Sequence, residues 1–313
     1  MRQQSSSLSD LEIKCPVCSA PAPADQSPRT HLAPHNGINY TLHNCPSCAI
    51  QFWSPLQADP TVYEDEGFEA YRDYHTGTRP FPRWAEPLFT KLPKTTGLTL
   101  DVGCGDGAVL ARLSSLGFEA HGIDLDKKSI EIARTKYGLT NVQSRTLDEY
   151  VLDCKEHQRR FDLITFFEVL EHQDNPLSFL DQVSRIAKPD GWIAGSVPNR
   201  NRFLANLDRK LGTGDLPPHH FLWFSSAALK GLLERSGFRN VTVIGVGAIS
   251  FSQLATKLSL VMRRVTDRSP KPVRVLLTPI AALLAHFAAA PVFLGLLVFP
   301  AHLFFRCQTA EPE

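Results

Sequence analysis

The sequence carries almost no net charge and lacks an apolar run at its N-terminus. Its 313 residues include 33 basic and 32 acidic side chains, for a formal net charge of +1. A protein that binds nucleic acid needs a basic surface, so a net charge near zero argues against a nucleic-acid partner. The first residues, Met1-Arg-Gln-Gln-Ser-Ser-Ser, have no apolar core of the kind a secretory signal requires. We therefore expect a cytoplasmic chain in a reducing compartment.

Cysteine is also scarce, and four of the seven cysteines form two pairs. Cys15-Pro-Val-Cys18 and Cys45-Pro-Ser-Cys48 are separated by 26 residues. Each pair can place two thiolates on one ion, and two pairs complete a tetrahedral shell of four sulfurs. The spacing predicts a zinc ribbon over residues 13–55 whose metal is structural, because no coordination position stays open. Two disulfides, or a site that binds nothing, are the alternatives.

The segments around this module are less informative. Residues 1–12 are polar and Ser-rich, and we expect them to be disordered. Residues 56–97 combine many Tyr, Asp and Glu side chains with a lead-in helix from about 82 to 92. The acidic and aromatic part is either a solvated linker or a lid over a neighbouring pocket.

A glycine-rich stretch at residues 98–107 organises the centre of the chain. An apolar strand ends in Asp101-Val-Gly-Cys-Gly-Asp-Gly107, where three glycines let backbone N–H groups approach a ligand. Asp124 closes the next apolar strand, 21 residues beyond Gly103, which is the spacing at which a carboxylate accepts both hydroxyls of a ribose. Strands and helices then alternate, which predicts an α/β domain over 98–248 with a parallel sheet between helices.

This combination resembles the class I S-adenosylmethionine-dependent methyltransferases over roughly residues 84–246. The G-x-G-x-G loop, Asp124, the strand at 161–164 and the Lys188-Pro-Asp-Gly191 turn carry the resemblance. A dehydrogenase fingerprint would have one more residue before its last glycine. The resemblance implies a Rossmann-like fold and S-adenosylmethionine as cofactor. The cofactor-binding residues it implies are Asp101, Gly103, Cys104, Gly105, Gly107, Asp124, Leu125, Leu147 and Phe167.

A second motif, Glu168-Val-Leu-Glu171-His172, follows the fourth strand of this domain. If a helical turn begins there, Glu168, Glu171 and His172 share one face. Together with His219 and His220 further on, the motif resembles the type 23, ubiquinone-pathway O-methyltransferases and the small-RNA 2′-O-methyltransferases. That resemblance implies a divalent ion, Mg²⁺ or another, held by Glu168, Glu171, His172 and one of His219 or His220. Alternatively, His172 acts alone as a general base, or the motif only lines the pocket.

The C-terminal third changes in composition. We expect a strand at 241–246 and find no clear seventh strand, so a basic amphipathic helix over 249–274 is predicted either to replace it or to precede a short one. Residues 275–305 then carry no formal charge. This length exceeds the roughly 20 residues that cross a bilayer, but Pro291 divides it. We expect a re-entrant or interfacial membrane segment; a single span and a buried helical pair are the alternatives.

Together these features predict a membrane-associated methyltransferase. The basic run before the apolar segment favours a peripheral or monotopic position at the inner, cytoplasmic face of the membrane. The expected reaction is O-methylation of a small or lipid-linked acceptor. The alternatives are C-methylation of a nucleotide-linked sugar, methylation of RNA, or a non-catalytic module that binds S-adenosylmethionine.

Overall fold

The computed structural model describes residues 13–22, 28–34, 36–57, 72–90, 92, 96–203, 205–211, 215–246 and 300–310. Three sequence predictions fall wholly or largely outside these ranges. They are the disorder of residues 1–12, the basic helix over 249–274, and the part of the apolar segment that precedes Pro300.

A seven-stranded sheet forms the centre of the described structure. In chain order its strands are β4 (Gly97–Val102), β5 (Phe118–Asp124), β6 (Val142–Ser144), β7 (Phe161–Phe167), β8 (Ala187–Pro198), β10 (Arg239–Val246) and β11 (His302–Gln308). Neighbouring strands follow the order β10-β11-β8-β7-β4-β5-β6. The five strands β4 to β8 run parallel, as the alternation of strands and helices predicted. The seven residues of β7 are all buried, because helices cover both of its faces.

Two hydrophobic cores of the described residues lie on opposite faces of this sheet, and a third, smaller one surrounds Ile130 and Ala133. Side chains alternate across a strand, so Ile164 and Phe166 of β7 join one core while Leu163 and Phe167 join the other. The described helices are α1 (Arg72–Thr76), α2 (Glu86–Thr90), α3 (Ala108–Ser115), α4 (Lys127–Tyr137), α5 (Leu147–Glu156), α6 (Pro176–Ile186), α7 (Ala205–Leu211) and α8 (Ser226–Arg235). Apolar side chains of α5, α6 and α8 fill the first core, and those of α2 and α3 fill the second. The predicted Rossmann-like α/β architecture is therefore confirmed.

The seventh strand exists, and it corrects the expected extent of the membrane segment. Residues His302–Gln308 form β11, which runs antiparallel between β8 and β10. Phe304 and Phe305 are almost fully buried, and the Phe305 ring lies 5.2 Å from that of Phe166. The final residues of the uncharged run are therefore sheet core. Among the described residues, no helix is both long and apolar enough to cross a bilayer.

The two cysteine pairs sit on matching turns at the N-terminal end. The amide of Ser19 donates to the Cys15 carbonyl and that of Ala49 to the Cys45 carbonyl, and Ser19 and Ala49 both have a φ of 58°. Strands β1 (Thr30–Leu32), β2 (Asn39–Asn44) and β3 (Gln51–Ser54) follow the first turn and flank the second. The fourth strand of this small sheet, β9 (Leu222–Trp223), comes from the far part of the chain. The N-terminal module, residues 13–57, shares one continuous core with the large sheet.

Candidate active site

A cavity of about 590 Å³ opens at the carboxyl ends of β4, β5 and β7. Ligands bind at this edge in open parallel sheets, because the strand-to-helix loops diverge there. Of the residues proposed from the sequence, the cavity is lined by Gly103, Gly105, Asp124, Leu125, Leu147, Phe167, Glu168, His172, His219 and His220. The fold thus brings the glycine loop and the second motif to one space.

The glycine loop is tied to the end of β5. The amides of Gly103 and Cys104 donate to the Ile123 carbonyl, and the Gly105 amide donates to Asp124 Oδ2 at 2.7 Å. Gly103 and Gly105 have positive φ angles of 73° and 52°. A Cβ at Gly105 would lie 2.8 Å from the Tyr74 ring, so the close approach requires glycine.

Three of the proposed cofactor residues do not line the cavity with their side chains. Cys104 is buried, and its Sγ packs beneath Gly122. Gly107 begins α3, and a Cβ there would collide with Ala133 of α4, so this glycine serves helix packing. Asp101 is buried at the end of β4, where its Oδ1 accepts a 2.6 Å hydrogen bond from the Thr165 hydroxyl. Only backbone atoms of Cys104 and Gly107 are therefore candidates for ligand contact.

The carboxyl groups of Asp101 and Asp124, at the ends of β4 and β5, favour a cationic neighbour. Burial raises the pKa of Asp101 to about 7, although the Thr165 hydroxyl opposes this shift. Burial also raises the pKa of Asp124 to about 6, against the amides of Asp126 and Gly105 that stabilise its ionised form. A ligand that carries an ammonium and a sulfonium group would favour both carboxylates.

These pKa shifts predict the pH dependence of cofactor binding. At pH 5.5 both carboxyls are largely protonated, and at pH 7.5 both are largely ionised. The affinity for S-adenosylmethionine should therefore fall by at least about tenfold from pH 7.5 to pH 5.5. Isothermal titration calorimetry at the two pH values checks this, with Asp101→Asn as the variant in which the dependence should weaken. Equal affinity at both pH values would contradict it.

Two aromatic side chains, Tyr74 and Trp84, also line the cavity wall. Tyr74 of α1 lies against Gly105, and the Arg79 guanidinium sits 4.1 Å from the centre of its ring. Arg79 also pairs with the buried Asp106 of the glycine loop at 2.7 Å. The indole of Trp84 stacks on Phe167 at 5.0 Å. Tyr74 ends the acidic and aromatic segment, and the preceding residues 58–71 lie outside the described part of the chain.

The second motif begins with a backbone reversal and not with a helical turn. Glu168 has a φ of 56°, and a short 3₁₀ turn at Leu170–His172 follows. The Glu168 carboxylate accepts a 2.6 Å hydrogen bond from Ser196 and lies 3.4 Å from His302 Nε2. The expectation that Glu168, Glu171 and His172 share one helical face is therefore wrong.

Three histidines gather beside this turn. The ring centres of His172, His219 and His220 are all 4.7 Å apart, and their candidate ligand atoms lie within 4.8 Å of one another. His172 Nδ1 donates to the His219 carbonyl at 2.5 Å, because a carbonyl can only accept. His220 Nδ1 lies 3.2 Å from Asp215 Oδ1 and donates in the same way. A neutral imidazole that donates through Nδ1 carries its lone pair on Nε2.

These lone pairs converge on a buried carboxyl group. Glu171 is fully buried, and its Oε1 lies 3.9 Å from Nε2 of both His172 and His220. Neither Glu171 oxygen has a hydrogen-bond partner among the described residues. Burial, and then the charge of Glu168, raise the pKa of Glu171, while burial and the neighbouring His220 lower the pKa of His172 to about 3. Facing acceptor atoms need a shared proton or a cation, so this donor set fits a metal ion.

The four paired cysteines also form a donor set that fits a metal. Cys15 and Cys48 Sγ are 3.5 Å apart, as are Cys18 and Cys45 Sγ, and all four sulfurs lie within 4.8 Å of one another. Tetrahedral zinc with 2.3 Å bonds places its sulfurs about 3.8 Å apart. All seven cysteines are free thiols, so the disulfide alternative is not supported. Burial alone would raise the pKa of Cys45, but backbone amides and the Cys18 thiol lower it to about 7.

Sheet order, glycine loop and acidic strand end define the class of protein. A family model described as a methyltransferase domain matches residues 74–243, which is more than half of the chain. The chain therefore belongs to this family of class I S-adenosylmethionine-dependent methyltransferases. The family membership supports S-adenosylmethionine as the cofactor.

The chain is also similar to individual curated proteins and to solved structures. It is 35% identical over 124 residues to a ubiquinone biosynthesis O-methyltransferase of Thiobacillus denitrificans, covering 38% of this chain and 50% of that one. It is 37% identical over 156 residues to a protein of the same description from Bordetella avium, covering 45% and 64%. The chain thus spans about half to two thirds of the length of these curated relatives. A phosphoethanolamine N-methyltransferase 2 structure from Haemonchus contortus shares the fold, with 13% identity, a TM-score of 0.53 and coverage of 82% and 61%.

Proposed function

We propose that this chain transfers the methyl group of S-adenosylmethionine to a hydroxyl oxygen of a small or lipid-linked acceptor. The observation that carries the proposal is the histidine cluster on the wall of the same cavity as the glycine loop. Transfer to oxygen needs a group that takes or neutralises the hydroxyl proton beside the methyl donor. The relatives described as O-methyltransferases support oxygen as the atom methylated.

In this proposal each polar residue has a defined task. The backbone from Gly103 to Gly107 holds the methionine part of the cofactor, the buried Asp101 adds its negative charge from beneath the loop, and Asp124 holds the ribose. In a metal-free cluster, a neutral His172 with its Nδ1 proton on the His219 carbonyl presents its Nε2 lone pair to the acceptor hydroxyl. With a bound ion, that lone pair binds the ion instead, and the ion favours ionisation of the hydroxyl. Asp215 fixes His220 in the equivalent orientation. Positioning acceptor and methyl donor in one cavity provides much of the rate enhancement.

The histidine cluster with Glu171 is proposed to hold a divalent ion. An ion there would lower the pKa of an acceptor hydroxyl bound to it. Three imidazoles and one carboxylate suit a transition metal better than Mg²⁺, which prefers oxygen ligands. Glu168 falls outside this donor set, because its carboxylate is engaged by Ser196 and His302.

Metal analysis should separate this ion from the zinc proposed for the cysteine module. By inductively coupled plasma mass spectrometry, Cys18→Ser with Cys45→Ser should lose one zinc equivalent and lower the Tm. His219→Ala with His220→Ala should instead lose the second metal and keep the zinc. Cys154→Ala, a buried cysteine outside the cluster, is the control. Unchanged metal content in either double variant would contradict the corresponding site.

We also propose that the acceptor lies at a membrane. The chain leaves the sheet after Val246 and returns at Pro300, and Val246 pairs directly with His302. Both ends thus lie at the cavity edge of the sheet, where β8 ends at Pro198 opposite His302. A single membrane crossing would put these paired strands on opposite sides of a bilayer. We therefore favour a re-entrant or interfacial role for the uncharged residues 275–299.

Product analysis with methyl-labelled S-adenosylmethionine tests the proposed function. The protein is incubated with a membrane lipid extract, with nucleotide-linked sugars and with RNA, and each fraction is analysed by mass spectrometry. Label in the lipid fraction, on oxygen, is expected. Label only in the sugars, on carbon, or only in RNA would replace the proposal by one of those activities. Cofactor binding with no labelled product on any acceptor would favour a non-catalytic module.

A further inference from the structure

We infer that the N-terminal cysteine module is a positioning element for the histidine loop, residues 215–224, and so for the acceptor side of the active site. This inference rests on the proposed role of His219 and His220. Its physical basis is that contacts from the module hold this loop on both sides of the two histidines.

The first contact is a shared sheet. Strand β9, which ends the histidine loop, pairs with β3 of the module through Phe52 with Leu222 and Gln51 with Trp223. Leu222 and Trp223 are buried. The last turn of the loop is therefore fixed by a strand that lies about 170 residues earlier in the chain.

The second contact is a backbone relay through Phe221. Its amide donates to the carbonyl of Glu171 at 2.9 Å, and its own carbonyl accepts from the Trp53 amide at 3.0 Å. The Phe221 ring packs 6.0 Å from Tyr40, and both side chains are fully buried. One residue thus joins the cysteine module directly to the turn that carries Glu171 and His172.

The third contact lies on the other side of the two histidines. His31 Nε2 of β1 donates to the Pro217 carbonyl at 3.1 Å. The His31 ring also meets the edge of Trp53, and Trp53 in turn meets Trp223 at 5.4 Å. The module therefore forms hydrogen bonds to the loop at Pro217, two residues before His219, and at Phe221, the residue after His220.

Residues outside the cysteine module contact the same loop at its first residue, Asp215. Asp215 pairs with Arg202 at 3.0 Å and Arg209 at 2.9 Å, and its carbonyl accepts from the Trp223 indole. Residues 215–221 contain neither helix nor strand, so side-chain and backbone contacts of this kind set the loop's path. Asp215 fixes one end, and the module fixes the rest.

A variant of His31 isolates the positioning effect. His31 is partly exposed, so His31→Ala should fold; it should lower kcat about five- to twentyfold with S-adenosylmethionine affinity within about twofold of wild type. His31→Gln, which keeps a donor toward Pro217, should restore most of the rate. Leu32→Ala is the matched control, because Leu32 is the next residue of β1 and is 65% exposed.

Nuclear magnetic resonance of ¹³C-labelled histidines gives a readout that does not depend on turnover. In the full-length protein, the imidazole signals of His172, His219 and His220 should shift in His31→Ala, and should shift in the same direction in Cys18→Ser with Cys45→Ser. The signal of the exposed His157 should stay in place. Unmoved signals of the three histidines in both folded variants would overturn the inference. Full turnover in His220→Ala would instead contradict the proposed function and leave the signal shifts interpretable.

Discussion

His172→Ala should lower kcat by about 10²–10⁴-fold, the range by which a positioned acid or base contributes. The Nδ1 atom of His172 donates to the His219 carbonyl, which orients the ring so that a neutral imidazole carries its lone pair on Nε2. The proposed cofactor contacts, made by the glycine loop and Asp124, do not involve this ring. The affinity for S-adenosylmethionine should therefore remain within about twofold, as measured by calorimetry beside single-turnover kinetics.

The control for this variant is His157→Ala. His157 lies at the exposed end of α5 and is 55% accessible, so both kcat and cofactor affinity should be unchanged. Two results would contradict the role assigned to His172. One is turnover within about threefold of wild type, and the other is loss of cofactor binding together with turnover.

Asp124→Ala should have the opposite pattern and weaken S-adenosylmethionine binding by about 10²-fold. Asp124 accepts from the Gly105 amide with one oxygen and from the Asp126 amide at 2.8 Å with the other. Hydrogen bonds to a charged group contribute about 1.5–3 kcal/mol each, and their loss would also release the glycine loop. The proposed ribose contact would disappear with them.

Calorimetry on Asp124→Ala and Asp124→Asn tests this prediction. The asparagine keeps one acceptor oxygen, so its affinity should lie between those of wild type and Asp124→Ala. Asp181→Asn is the control, because Asp181 lies on the exposed surface of α6 and, among the described residues, forms an ion pair only with Arg185. Affinity within about threefold of wild type in Asp124→Ala would show that this carboxylate does not hold the cofactor.

Local sequence patterns predicted the parts of this protein that depend on near neighbours. The glycine spacing, the acidic end of β5 and the alternation of strands and helices are short-range signals, and the sheet follows from them. The cysteine spacing likewise predicted four sulfurs at one point. The turn conformation at Ser19 and Ala49, which completes each cysteine pair, carries no comparable signal.

The features that sequence reasoning missed depend on long-range pairing. Strand β11 follows an uncharged stretch, and Phe304 and Phe305 are as apolar as the residues before it, so no change of composition marks where the strand begins. Strand β9 is only two residues long, too short for a periodic pattern. The role of Asp215 was also missed, because its two arginine partners and His220 meet only in the folded chain.

The motif at Glu168 shows a different limit. Its spacing allowed a helical face, but the left-handed backbone of Glu168 turns that side chain toward Ser196 and His302. His302 belongs to β11. Because that strand was not predicted, the contact that holds the Glu168 carboxylate away from the histidines could not be predicted either. The histidine cluster was better predicted, since His172, His219 and His220 do meet.

Formation of S-adenosylhomocysteine from saturating S-adenosylmethionine, with a membrane lipid extract as the source of acceptor, tests most directly whether the cofactor pocket and the histidine cluster serve one reaction. Wild-type protein should form the product only when the extract is present. His172→Ala should bind the cofactor and form almost none, and Asp124→Ala should recover part of its rate as cofactor concentration is raised. Equal product formation by wild type and His172→Ala would contradict the claim that cofactor and histidine cluster serve one reaction in one cavity.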